Sequence, residues 1–181
     1  MLGHGAGGGF GSPDLAGAAE AARGAGLAVA LVEQPYRVAG RRSPAPPGRL
    51  DAAWTAVLSE LRAGPLARLP ILTGGRSSGA RVACRTAAET ASAGVVCLAF
   101  PLHPPGRPEK SRLEELDAVE VATLVVQGEN DPFGMPPEGP NRRVARIPGS
   151  HSLRSSNAVA AAVSDWLATI LPLLAAPRLR A

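Results

Sequence analysis

Two rhythms alternate along the chain. Short apolar runs are separated by longer stretches in which apolar residues recur every three or four positions. The runs are LAVALVE from Leu27 to Glu33, Leu69 to Thr73, GVVCLAFPL from Gly94, ATLVVQGEND from Ala122 and RRVARIPG from Arg142. Continuous apolar runs bounded by turn residues predict strands covered on both faces, as a parallel sheet requires. Ser12-Pro13-Asp14 predicts a helix start, with serine at the cap and proline in the first turn, and the helix should run to about Gly24. Leu50, Trp54, Val57, Leu58 and Leu61 fall on one helical face. A helix from Ser78 to about Thr90 and a short one at RLEELD follow. Val159, Val163, Trp166, Leu167, Ile170 and Leu174 mark a terminal helix whose cap is Ser155 or Ser156.

Strands alternating with helices imply βαβ units. Right-handed crossovers then place helices on both faces of a mainly parallel sheet. The expected class is α/β, and 1–181 reads as a single domain with no internal repeat.

Composition adjusts this picture only slightly. A chain of 181 residues can bury about 70% of its unfolded surface without disulfide or metal staples. Aromatic residues make up only 3%, so Ala, Val and Leu must fill the core. The net charge is +4 and the isoelectric point about 10.0. The arginines behind it are scattered and lack interleaved aromatics, which argues against a nucleic-acid partner. The one dense basic stretch is RVAGRRSPAPPGR, Arg37 to Arg49. Cys84 and Cys97 stand in apolar contexts and read as buried free thiols of a reducing compartment. MLGHGAGGGFG has neither the basic start nor the apolar core of a signal peptide. AVAAAVSDWLATILPLLAAP carries Asp165 and Pro172 and has helical periodicity, so it reads as a packing helix and not a membrane span. These readings together predict a cytoplasmic protein.

The candidate chemistry lies where the strands end, since ligands of such sheets gather at the carboxyl ends of the strands. Gly75-Arg76-Ser77-Ser78-Gly79 has an apolar strand-like segment before it and a helical one after it, the setting of a nucleophile elbow. A serine hydroxyl is a poor nucleophile at neutral pH and needs a base, which itself needs orienting. Asp131 follows LVVQGEN, and His151 follows VARIPGS. The order Ser77, Asp131, His151 is the one expected of an α/β-hydrolase. Donors for an oxyanion would be the backbone N–H groups of Ser78 and, from the glycine-rich HGAGGG loop, of Ala6. His4 reads as a structural hydrogen-bonder of that loop. Each residue also has a plain structural reading: Ser77 as a helix cap, Asp131 as the opening of a turn before Pro132, His151 as a loop histidine. The joint occurrence in this order favours the catalytic set.

GHGAGGG, EQPYRVAGRR, GGRSSGARVA, FPLHPPGRPEK, LVVQGENDPFG and GSHSL together resemble one group of small α/β-hydrolases. It comprises bacterial hydrolases, the testis-expressed hydrolase-like proteins and the hydrolase-like domain of the NSL acetyltransferase complex subunit 3. The chain is similar, more distantly, to dienelactone hydrolases, whose nucleophile is cysteine where this chain has Ser77. The resemblance spans nearly the whole chain. It implies the α/β-hydrolase fold and places Ser77, Asp131 and His151 on the triad positions, while implying little about substrate. In this fold the oxyanion loop follows the third strand, and here only Met1-Leu2-Gly3 precedes His4. The central strand is therefore expected to be a stub, with the two strands before it missing and the protein starting upstream.

The short segment between Gly94 and Ala122 leaves little material for a lid. The expectation is a serine hydrolase of the carboxylesterase type, acting on a small ester, thioester or lactone, with no metal or organic cofactor. Arg41, Arg42 and Arg76 are candidates for holding an anionic group of that substrate, and His103 for bordering the pocket. The competing class is a non-catalytic binding or scaffold module.

Overall fold

A computed structural model describes residues 1–64 and 66–175. Six strands form one sheet: β1 (Leu2–Gly3), β2 (Leu31–Val32), β3 (Leu72–Arg76), β4 (Gly94–Leu98), β5 (Thr123–Gly128) and β6 (Arg142–Ile147). They lie in the order β2-β1-β3-β4-β5-β6, and every neighbouring pair is parallel. The helices are α1 (Pro13–Gly24), α2 (Pro35–Val38), α3 (Pro47–Ala63), α4 (Ser78–Thr86), α5 (Leu113–Asp117) and α6 (Ser156–Ala175).

Side chains of a strand alternate between its two faces, and the core divides accordingly. Val96, Leu98, Leu124 and Val126 face Leu15 and Ala18 of α1 and Val159, Val163, Trp166 and Leu167 of α6. Val95, Cys97 and Val125 face Leu50, Trp54 and Leu58 of α3, Val82 and Cys84 of α4, and Leu116 of α5. Helices cover both faces of this all-parallel sheet, as expected of an α/β-hydrolase, and between β4 and β5 stands only the short α5.

The boundaries depart from the apolar runs at three places. The first run, Leu27 to Glu33, pairs only at Leu31–Val32, because its neighbour β1 is itself only two residues long. The second run, Leu69 to Thr73, is displaced: Leu69 is exposed and the strand continues through Gly74 and Gly75 to Arg76. Glycine is a poor strand former in its own right, but here the sheet has no room for a side chain. A Cβ on Gly75 would come within 2.5 Å of the Gly3 carbonyl oxygen. The helix that begins at Ser78 ends at Thr86, and the expected last turn to Thr90 is instead a chain reversal held by the Thr90 hydroxyl on the Thr86 carbonyl at 2.7 Å. At α6 the cap is Ser155, whose Oγ accepts the Ala158 N–H at 3.3 Å.

Parallel pairing places the carboxyl ends of β1, β3, β5 and β6 on one rim of the sheet. From those four ends emerge the His4–Gly8 loop, Ser77, Asp131 and His151 respectively.

Candidate active site

Ser77 sits between β3 and α4 with φ 51° and ψ −109°. A non-glycine residue in this region carries about 1–3 kcal/mol of strain and persists only where its surroundings hold it. The Ser77 N–H donates to the Leu98 carbonyl at 2.8 Å, and the Ser77 carbonyl accepts the Arg81 N–H at 3.2 Å. Gly79 lets α4 start directly against β1, since a Cβ there would overlap the Gly3 carbonyl oxygen.

The β5 and β6 exits are stitched together. Glu129 N–H donates to the Ile147 carbonyl at 3.0 Å and Asn130 N–H to Gly149 at 2.9 Å. Gly128 makes that approach possible, because a Cβ on it would lie 2.5 Å from the Ser150 carbonyl oxygen. Leu153, fully buried, anchors the far side of the His151 loop in the core.

Across this rim the three polar side chains meet in a row. The Ser77 hydroxyl lies 3.0 Å from His151 Nε2, and His151 Nδ1 lies 2.9 Å from Asp131 Oδ2. An ionised carboxylate can only accept, so the proton shared with Asp131 resides on Nδ1 and Nε2 is left to accept from the serine. The Asp131 side chain is 1% exposed and that of His151 17%. Asp131 is compensated by further donors: Phe133 N–H to Oδ1 at 2.9 Å and the Gln127 amide to Oδ2 at 2.8 Å. The Phe133 ring lies against His151 with centroids 4.2 Å apart.

The His4–Gly8 loop passes beside the serine; a Cβ built on Gly5 would lie 3.4 Å from Ser77 Cβ. His4 is wholly buried. Its Nε2 accepts the Gln34 N–H at 3.0 Å, so Nδ1 carries the proton and donates to the Gly5 carbonyl at 2.8 Å. The Tyr36 hydroxyl donates to the Ala6 carbonyl at 3.1 Å. Burial pushes the Tyr36 phenol up, with the Arg37 charge acting the other way. Among the described residues no protein acceptor engages the N–H groups of Ala6 and Ser78. Two free donors beside a serine held at a histidine suit a developing oxyanion.

One expectation about substrate contacts is corrected. Arg76 is occupied elsewhere: its Nε donates to Asp14 Oδ2 at 2.7 Å and its Nη2 to the His151 carbonyl at 3.2 Å. A charge already satisfied by a fully buried carboxylate is not available to a ligand. The His103 ring packs on Gly134, its Nδ1 donates to its neighbour Pro104 at 2.9 Å, and its N–H holds the Phe133 carbonyl at 3.0 Å. It braces the acid turn. Arg41 and Arg42 are exposed and make no side-chain hydrogen bond or ion pair among the described residues. Arg41 lines, with Tyr36 and Arg49, a surface groove of about 330 Å³. Among the described residues no three His, Cys, Asp or Glu side chains converge as a metal site would need.

Asp14, Phe133, Tyr36 and Gln127 were not singled out from the sequence. Gln127 had a signal: it interrupts an otherwise apolar strand, and a polar side chain buried there must find partners.

Residues 1–156 match the family model described as Alpha/beta hydrolase domain. No protein among the curated sequences matches. Solved structures share the architecture at low identity. Est1E from Butyrivibrio proteoclasticus, with ferulic acid bound, aligns at TM-score 0.76 and 16% identity, covering 94% of this chain and 88% of that one. A serine hydrolase without lid from Xanthomonas campestris aligns at 0.71 and 20%, covering 97% and 83%. The thioesterase domain of the curacin biosynthetic pathway aligns at 0.64 and 16%, covering 92% and 89%.

Proposed function

Because the chain belongs to the alpha/beta hydrolase domain family, we propose that it is a serine hydrolase of the carboxylesterase type. Its substrate is a small ester, thioester or lactone, cleaved through an acyl-enzyme on Ser77. The observation that carries this reading is the unbroken row from Ser77 Oγ through the His151 ring to Asp131, at 3.0 and 2.9 Å.

As Ser77 attacks the acyl carbon, His151 Nε2 takes its proton, and the imidazolium is held by the Asp131 carboxylate on Nδ1. The carbonyl oxygen, now negative, receives the N–H groups of Ala6 and Ser78. The imidazolium returns the proton to the leaving group, and water activated by the same Nε2 then releases the acid. Protonating Nε2 beforehand removes the lone pair, so the rate falls on acidification. The short α5 segment leaves this rim uncovered, which suits a small substrate better than a long lipid chain. The presence of ferulic acid on Est1E and the thioester specificity in the name of the curacin domain agree with a carbonyl substrate of this kind. Kinship with the testis-expressed and NSL subunit 3 hydrolase-like proteins is the narrower assignment within the family that the motif series supports.

The test is labelling by a fluorophosphonate probe. The wild type should be labelled, Ser77→Ala should not, and Ser164→Ala, at an exposed serine of α6, should be labelled normally. A folded wild type that resists the probe would point instead to a binding module.

A further inference from the structure

Gln127 is the penultimate residue of β5 and wholly buried. Its Nε2 lies 2.8 Å from Asp131 Oδ2, 2.9 Å from the Gly134 carbonyl and 3.1 Å from the Phe100 carbonyl. All three are acceptors, so the amide nitrogen must face them. Turning the amide over would set Oε1 against two carbonyls and a carboxylate. In this orientation Oε1 is buried with no partner among the described residues, and a buried acceptor left unpaired is costly. The side chain is therefore poorly suited to stability alone, and its useful end is the one aimed at the acid.

We propose that Gln127 is a positioning residue for Asp131, fixing the carboxylate at which His151 Nδ1 is held. This rests on the hydrolase reading above. Asp131 opens a tight turn in which the Gly134 N–H returns to the Asp131 carbonyl at 3.0 Å and the Phe133 N–H reaches Oδ1. Those bonds set the turn but leave the carboxylate free to swing about its own bond to Oδ1. Gln127 donates to the opposite oxygen, Oδ2, the one that faces His151, and to Gly134 at the turn's end. It thereby fixes both the oxygen and the turn to the rigid strand β5. Its contact with Phe100 extends the brace to the chain leaving β4. The amide is neutral, so it orients the carboxylate and leaves the charge for the imidazolium.

The test compares wild type with Gln127→Met, which keeps the length and removes the donors, and with Gln127→Glu. Two readouts are the rate of fluorophosphonate labelling and the His151 Nδ1–H resonance in protein labelled with 15N-histidine. Misplacing a catalytic group by about 1 Å can cost about 100-fold. Gln127→Met should therefore label at least about tenfold more slowly, with that resonance displaced or lost. Gln127→Glu should give labelling that falls again on the alkaline side. A glutamate here donates only while protonated and repels Asp131 once ionised, whereas the amide of the wild type keeps its donors at every pH. Labelling of Gln127→Met within about twofold of wild type, an unmoved resonance, or a Gln127→Glu profile that follows wild type would each overturn the proposal. If Gln127→Met does not fold, the Gln127→Glu profile decides. A wild type that resists the probe overturns the hydrolase reading, while the resonance still decides the role of Gln127.

Discussion

Replacing Arg76 by methionine should cost far more than a half-buried surface arginine normally does. The guanidinium lies 2.7 Å from a carboxylate that is 0% exposed, and its own side chain is only 17% exposed. At an effective dielectric of about 20 and this separation, the attraction is about 6 kcal/mol. Most of it offsets the desolvation of two charges, so the pair contributes little net stability. Removing one partner is a different matter. Among the described residues Asp14 would keep only its contact with the Leu15 N–H at 2.8 Å, and an uncompensated buried charge costs about 3–5 kcal/mol. With a urea m-value of about 2 kcal/mol/M, the unfolding midpoint of Arg76→Met should fall by about 2 M.

The pair can be removed whole. Asp14→Leu together with Arg76→Met replaces two charges by apolar groups of similar size and should recover most of that loss, which is the signature of a coupled pair. Activity should not recover with it. Arg76 Nη2 donates to the His151 carbonyl at 3.2 Å, tying the histidine loop to α1 and to the elbow, and the double variant lacks that donor. Labelling of Ser77 in the double variant should therefore stay below wild type at equal stability. The reasoning fails if Arg76→Met costs less than about 1 kcal/mol, or if the double variant is less stable than the single one.

Three further outcomes follow from the packing. Gly79→Ala should destabilise by about 1–3 kcal/mol or more, because the new methyl overlaps the Gly3 carbonyl. Gly24→Ala, at the end of α1 with open space around it, should be neutral or gain up to about 1 kcal/mol, and paired thermal melts compare them. Cys84 and Cys97, whose sulfurs lie 3.4 Å apart in the core, should resist a thiol reagent until urea unfolds the protein. Their mutual hydrogen bond and burial push the Cys84 thiol well above its ordinary value, so rapid stoichiometric modification of the native chain would contradict the described packing.

The alternation of apolar runs was enough to anticipate the sheet because burial of β4 and β5 on both faces demands uninterrupted Val and Leu. It failed where backbone contact replaces side-chain contact. Gly74 and Gly75 carry no apolar signal, yet they are the centre of β3, pressed against the Val96 and Gly3 carbonyls. The strand therefore appeared three residues early at both ends. At the site, Ser77, Asp131 and His151 were found by order and by position after strands, which are properties of the chain. Arg76 was misread because its partner Asp14 is 62 positions away and looked like an ordinary first-turn acid. No local pattern distinguishes an arginine facing solvent from one facing a buried carboxylate across two elements.

The serine between glycines poses a choice between packing and chemistry, and the distances make the choice a false one. Gly75 and Gly79 are required because the Gly3 carbonyl lies against both positions. That closeness brings β1 alongside β3, and β1 in turn delivers the His4–Gly8 loop to the side of Ser77. A side chain at either glycine would push the loop and the serine apart, removing Ala6 from the neighbourhood of any oxygen bound at Ser77. Gly79→Ala should thus reduce labelling beyond what its lost stability explains. A Gly79→Ala protein that remains folded and labels at the wild-type rate would show that the close approach serves packing alone.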